Sequence, residues 1–459
     1  MKKTAKLLSI ILSLLMLTQL GLTAFASEND YTIVSPYDDV VWEGDNAWGA
    51  YKGTLHTHTT YSDAELSLSE MIKGYYNEDY DFVANSDHGV TGVEWNKEPA
   101  RPLLYMYQYL IGCEVAHLTD EEYEAITNGT YKLEDGTVRN KPMICVTGAN
   151  EFGYITLTKS HTNGYFLDPD VGNEWDGGEN SYEESIAFIH ENGGLSHINH
   201  PGDWLQSNQN PDIVNDPETV KYFGDLLLKY DSCLGTEVFN ERNGTTGYDR
   251  VLWDNLLMYC LPYGKNVMGY SNTDAHWLST IDSSFMVFMM EENDMDHVKE
   301  TMQTGAFFSI TRKLRANSVQ GSNIGPDKEF DVIGSDLPYP MFTKVVTEGH
   351  TVTVDYTDAT QVQWIADGNV ILKEKVNGNG TLKLDLDTID GAEDFTYIRA
   401  EVLGDGGMCI TQALVIDDGS APLEWVEDTT EMTFFEKIVA WFTDTRIYVI
   451  FQEIVRAIG

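Results

Sequence analysis

The chain has 459 residues, of which 42% are hydrophobic and 12% aromatic, enough for the cores of two or three domains and too apolar for a disordered protein. Its formal net charge of −44 gives a surface that repels polyanions, which argues against a nucleic-acid partner but not against a small phosphorylated substrate held at a metal. The five cysteines (Cys113, Cys145, Cys233, Cys260 and Cys409) are too few and too scattered for a disulfide framework, and no pair has the spacing of a zinc knuckle.

The first stretch, "MKKTAKLLSIILSLLMLTQLGLTAFAS", has a basic start, an apolar run from Leu7 to about Leu22, and then Ala24, Phe25 and Ala26. This is the layout of a secretory signal peptide cleaved after Ala26, so residues 1–26 read as a targeting segment of a secreted, extracellular protein; an uncleaved anchor is the alternative. From 48 to 320 short apolar runs alternate with helical stretches. Residues 80–86, 141–151, 194–200, 235–240 and 266–274 read as buried strands. Helices are expected after Ser67, where Ser67 and Glu70 fit a capping box, after Ser181 up to Gly193 and Gly194, and over 249–261. This alternation implies parallel strands, in an open sheet or a barrel.

From 325 to 420 the helices stop. Strands are expected over 350–356, 361–367, 382–387, 397–403 and 409–416, with turns at "NGNG" and "GDGG", which describes a small all-β, sandwich-like domain. Residues 430–459 read as an amphipathic helical tail with a break near Thr443 and Asp444. Its interspersed charges disfavour a membrane span; it would dock on the protein or contact a cell or membrane surface.

Nine of the 11 histidines fall between positions 56 and 276, and their placement is ordered. His56 and His58 follow the first strand. Asp87 and His88 follow "FVANS", Glu151 follows "ICVTGAN", His200 follows "LSHIN", Glu237 sits in "GTEVFN", and Asp274 and His276 follow "VMGYSN". In a parallel α/β barrel the C-terminal strand ends share one face, so these side chains would converge there. In a strand, residues i and i+2 point the same way, so His56 and His58 can serve one ion. Imidazoles mixed with carboxylates suit zinc, manganese or iron. His197, three residues before His200, is expected to face away, packed or hydrogen-bonded. Asp87 either orients His88 or caps a loop, and Glu237 either supports the site or the core.

"LHTHTTYSDAELSLSEMI" followed by "DFVANSDHG" resembles the opening of the polymerase and histidinol phosphatase (PHP) superfamily. "GANEF", "KSHTNGYFL", "NHPGD", "GTEVFN" and "SNTDAHW" match in order, over roughly residues 48–420. The chain is most similar to the stand-alone branch with carbaryl hydrolase-like proteins, in which a helix like "WDNLL" precedes the last motif and a β domain with a strand like "YIRAEV" follows. The resemblance implies a distorted (β/α)7 barrel of PHP type, then the β-sandwich-like domain and the helical tail. It implies a first ion held by His56, His58, Glu151 and Asp274, a second bridged by Glu151 and held by His161 and His200, and a third position at Asp63, His88 and His276. Asp63 stands where some members carry a histidine, so two or three ions remain open at this point. His161 enters only through the resemblance.

The expected activity is metal-dependent hydrolysis of a small phosphoester, with metal-activated water as nucleophile and the ions balancing developing charge. Asp87 and Arg242 are candidate catalytic residues, and Lys159 and Arg242 candidate contacts to a substrate phosphate. Hydrolysis of a carboxylic or carbamic ester at the same ions, and a metal-containing binding protein without turnover, are the alternatives.

Overall fold

The computed structural model describes residues 31–100, 112, 114–133, 135–153, 160–173, 181–240, 246–312 and 337–427. The expected signal peptide, Lys159, Arg242 and the expected tail over 430–459 lie outside the described residues. Among the described residues, no helix is long and apolar enough to cross a membrane.

The chain runs through β1 (Thr32–Val34), β2 (Gly49–Thr54), α1 (Leu68–Asn77), β3 (Phe82–Ala84), α2 (Asp120–Thr127), β4 (Ile144–Val146), β5 (Asn150–Phe152) and β6 (Thr162–Tyr165). Next come the short α3 (Pro169–Gly172), α4 (Tyr182–Glu191), β7 (Leu195–Ile198), α5 (Pro201–Leu205), α6 (Pro217–Lys229), β8 (Cys233–Phe239), α7 (Asp249–Cys260) and β9 (Met268–Ser271). Then follow β10 (Ser284–Met290), α8 (Met295–Thr304), β11 (Phe307–Thr311), β12 (Met341–Glu348), β13 (Thr351–Ala366), β14 (Asn369–Asp385), β15 (Tyr397–Gly404), β16 (Gly407–Ile410) and β17 (Leu414–Asp417).

Local sequence explains the helices that frame the site. At α1, Ser67 and Glu70 form both halves of the capping box, and Leu68, Met71, Ile72, Tyr75 and Tyr76 repeat at helical spacing and are buried. At α4, Ser181 caps Glu184 N, and Tyr182, Ser185, Ile186 and Ile189 are buried.

Two sheets result. In the first, β2, β3 and β4 are parallel, while β10 joins β2 and β11 joins β10 antiparallel. In the second, β7, β8 and β9 are parallel, and β5 and β6 are added antiparallel. Parallel pairing, expected throughout 48–320, therefore holds for two groups of three strands. The sheets meet through two single parallel bridges, Thr57 with Ala275 and His88 with Glu151. Among the described residues no ladder closes them into one sheet, so the expected closed (β/α)7 barrel is not shown. At the His88–Glu151 junction one physical reason is length: β3 and β5 have three residues each, too short to carry a ladder past the point where the metal-type side chains begin.

The later strands continue the first sheet. β16 pairs with β11 from Ser309 opposite Ile410 to Thr311 opposite Met408, and β1 joins at the far edge through β17. The "GDGG" turn closes the β15–β16 hairpin as expected. "NGNG" instead lies inside the 17-residue β14. There Gly378 takes φ +74° opposite Ala359, next to Asp358 at φ +54°, and the register shifts on both sides. The glycine serves a bulge within a long hairpin, not a turn.

Between the sheets lies an apolar plug contributed by both, including Leu55, Phe82, Val146, Tyr165, Leu234, Tyr270, Met286, Phe288 and Phe307, all buried. The chain passes from this plug at Leu55 straight into His56, so the metal-type residues stand on a packed floor. A polar knot ties α7 to β15. Arg399 grips Asp254 with Nε and Nη2, each at 2.8 Å, and reaches Glu401 with Nη1 at 2.6 Å. Arg250 pairs with the same Glu401, and all four side chains are buried.

Candidate metal centre

His56 and His58 lie just beyond β2, where the chain stays paired: Asp274 N donates to His56 O at 3.1 Å and His58 N to Ala275 O at 3.1 Å. The two rings do share a face, with Nε2 atoms 3.1 Å apart. His56 Nε2 lies 3.3 Å from Glu151 Oε1 and 3.2 Å from Asp274 Oδ1. His58 Nε2 lies 3.0 Å from Glu151 Oε2 and 3.0 Å from Asp274 Oδ1. Glu151 also faces His88 Nδ1, His161 Nδ1 and His200 Nε2, each at 3.2 Å. Asp63 completes the group, 3.3 Å from His276 Nε2, 3.7 Å from His58 Nδ1 and 3.8 Å from His88 Nε2. The structure thus brings all nine expected ligand residues into one cluster. Four overlapping ligand sets arise: His56, Glu151 and His200; His56, His58 and Asp274; His58, Asp63 and His88; and His88, Glu151 and His161.

The backbone is bent to do this. His200 has φ +23° and Asp274 φ +45°, a region that non-glycine residues seldom occupy. Both residues follow strands, β7 and β9, and both turn their side chains inward at that strained position.

The donor chemistry fits divalent ions. Six imidazoles and three carboxylates in a mostly buried cluster are ill suited to pairing among themselves. His161 Nε2 and His200 Nδ1 are buried without a hydrogen-bond partner among the described residues. Charges are correspondingly displaced. Burial would lower the His58 imidazole, but hydrogen bonds to Asp274 and Glu151 bring it up to about 9. Burial likewise opposes a rise at His200, which its hydrogen bond to Glu151 pushes up to about 10. His88 goes the other way, lowered to about 3 by burial. Against burial, His88, His56 and His161 hold Glu151 well below the usual carboxylate range, and His56 and His58 do the same for Asp274.

A polar layer fixes these rings. Glu237, weighed between site and core, accepts from His56 Nδ1 at 2.8 Å, Asn272 Nδ2 at 2.9 Å, His200 N at 2.9 Å and Asn240 Nδ2 at 2.6 Å. It is fully buried. A carboxylate cannot donate, so Glu237 keeps a proton on His56 Nδ1 and leaves Nε2 facing the cluster, where the neutral ring would offer its lone pair to an ion. Asn199 Nδ2 donates to Glu151 Oε1 at 2.7 Å and to Asn163 Oδ1 at 2.9 Å. The asparagines Asn163, Asn199 and Asn272 carry no signal in the sequence that marks them as supports.

Asp87 does not orient His88. Its Oδ1 accepts from Thr59 N and Ser62 Oγ, both at 2.7 Å, and its Oδ2 from Thr59 Oγ1 at 2.8 Å. It pins the loop after His58, and Ser62 Oγ in turn lies 3.2 Å from His58 Nδ1. His197 faces away from the cluster as expected, 2.8 Å from Tyr165 OH and stacked on Tyr270.

No protein-family model matches the chain, and no curated protein matches it. Among solved structures, the chain is similar to a two-domain protein from Bacteroides vulgatus ATCC 8482 containing a predicted PHP-like metal-dependent phosphoesterase (14% identity, TM-score 0.41, covering 82% of this chain and 99% of that one). It is also similar to a putative metal-dependent phosphoesterase from Bifidobacterium adolescentis ATCC 15703 (13%, 0.28, covering 50% and 89%) and to the lesion-specific endonuclease PfuEndoQ from Pyrococcus furiosus (12%, 0.32, covering 60% and 61%).

Proposed function

We propose that this chain is a metal-dependent phosphoester hydrolase of PHP type, working with two or three divalent ions of zinc, manganese or iron. The observation that carries the reading is the Glu151 carboxylate. Its Oε1 faces His56, His161 and His200, while its Oε2 faces His58 and His88. A carboxylate flanked by five imidazoles has the donor arrangement of a bridge between two ions.

Ions bound there supply Lewis-acid polarisation of a phosphoryl oxygen and a lowered water pKa, roughly 7. The chain's own residues do the rest. His56, His58, Asp274 and Glu151 would hold one side of the centre, and His161 and His200 the other. Asp63, His88 and His276 would form a third position. Glu237 fixes the His56 tautomer, and Asp87 holds the loop that carries Ser62 against His58. Lys159 or Arg242 would contact a substrate phosphate.

The same reading includes secretion through residues 1–26, a barrel unit over 48–320, a β-rich unit over 325–420, and a tail over 430–459 that contacts a cell or membrane surface. The motif order supports the carbaryl hydrolase-like branch.

The test is a panel of phosphomonoesters, phosphodiesters and aryl carboxylic esters offered to manganese- or zinc-loaded protein. Phosphate release, abolished by chelator and by His58→Ala, is the expected result. Cleavage of aryl carboxylic esters alone would replace the phosphoesterase reading with ester hydrolysis. Bound metal without turnover on any substrate would make the chain a binding protein.

A further inference from the structure

We propose that Trp277 forms an aromatic wall at the mouth of the metal cluster and selects phosphoryl substrates that carry a neutral, flat aromatic group. The inference rests on the phosphoesterase reading of the site and names its substrate class.

Side-chain exposure across the cluster locates the mouth. It is 0% at His56 and His58 and 1% at Glu151, but 15% at His276 and 30% at Asp63. Solvent, and therefore substrate, reaches the centre on the Asp63–His276 side. The next residue, Trp277, is 46% exposed, followed by Leu278 at 54%. Among the described residues these are the only two large exposed apolar side chains adjacent in sequence.

The indole stands beside the ligands, its ring centroid 5.6 Å from that of His276 and tilted 39°. Its backbone is held: Trp277 O accepts from Thr280 N at 3.1 Å and from Thr280 Oγ1 at 2.9 Å. Leu278 is packed down onto α1, close enough that a Cβ on Gly74 would come within 2.7 Å of its Cδ2. A fixed backbone with a solvent-facing ring suits stacking on something that arrives from solution.

Charge narrows the class. Glu65, exposed and bonded through its N–H to His276 O at 3.3 Å, adds an acid beside Asp63 at the same rim. A substituent with a second phosphate would be repelled there, whereas a neutral aromatic ring would stack.

The experiment measures calorimetric affinity of the metal-loaded full chain for phenylphosphonate and methylphosphonate, which cannot be hydrolysed as esters. Phenylphosphonate should bind tighter, on the order of tenfold. Trp277→Ala should bring the ratio near one without changing methylphosphonate affinity, and Trp277→Phe should keep most of the preference. A ratio unchanged in Trp277→Ala, equal losses for both ligands, or no binding of either phosphonate overturns the proposal. A Trp277-dependent phenyl preference without turnover of any ester would sink the phosphoesterase reading while keeping Trp277 as a stacking wall for bound phosphoryl ligands. Turnover with a ratio indifferent to Trp277 would do the reverse.

Discussion

Glu237 Oε1 lies 2.8 Å from His56 Nδ1, and the opposite nitrogen of that ring lies 3.2–3.3 Å from Asp274 and Glu151. One buried carboxylate thus fixes which nitrogen of His56 faces the middle of the cluster. Glu237→Gln puts an amide NH2 where one carboxylate oxygen now accepts from two donors. Metal affinity should fall by about 10–100-fold, while the metal-free protein keeps its fold. Metal titration beside a metal-free melting curve checks this; undiminished affinity would show that Glu237 serves only the core.

Asp63 is the most exposed member of the cluster; it accepts from Ser62 Oγ at 3.3 Å, and the rings it faces also have other partners. Asp63→Ala should lower the metal content by at most about one ion per chain and leave the Glu151-centred positions filled. If content falls to zero, Asp63 is indispensable to the whole centre.

Metal loading should release protons. In the metal-free protein His58 and His200 are raised to about 9 and about 10, so both are charged at neutral pH. An ion needs the neutral ring, and its binding displaces those protons. Affinity should therefore fall as pH falls. The metal-free fold should behave in the complementary way. The stability these charged rings add is fully present below their unfolded pKa of about 6.5, and it is lost as pH rises through about 9 and 10. Titration calorimetry at pH 7.5 in buffers of different ionisation enthalpy reads the release; heat independent of the buffer contradicts it.

The helix motif "WDNLL" and the strand motif "YIRAEV" meet in space. Arg399, from the strand, forms a two-bond grip on Asp254, from the helix, with both carboxylate oxygens at 2.8 Å. Removing one partner strands a buried charge, so Arg399→Met should cost about 3–5 kcal/mol. Thermal melting measures the loss, and metal bound per folded chain should not change. A melting point within a degree or two of wild type would mean that the knot adds no net stability.

How much of this could be read in the sequence follows from strand direction. His56, His58, His88, His200, Asp274 and His276 stand just beyond strands, where apolar runs break into polar ligands, so periodicity alone points to them. His161 was not readable that way. It precedes β6, which runs antiparallel to β5 and β7, so the start of that strand, not its end, lies at the site. Glu151 lies within β5, because Gly148 at φ +77° splits the expected 141–151 strand in two. Pairing of β16 with β11, which joins the C-terminal strands to the first sheet, links residues about 100 apart and leaves no local signature.

In the proposed function Glu151 would hold two ions at once. Elemental analysis of wild type and Glu151→Gln, loaded with zinc or manganese and then desalted, measures this. About two or more ions per wild-type chain and fewer than about one in the variant are expected. Fewer than one ion in wild type, or equal content in both proteins, would rule the bridging role out.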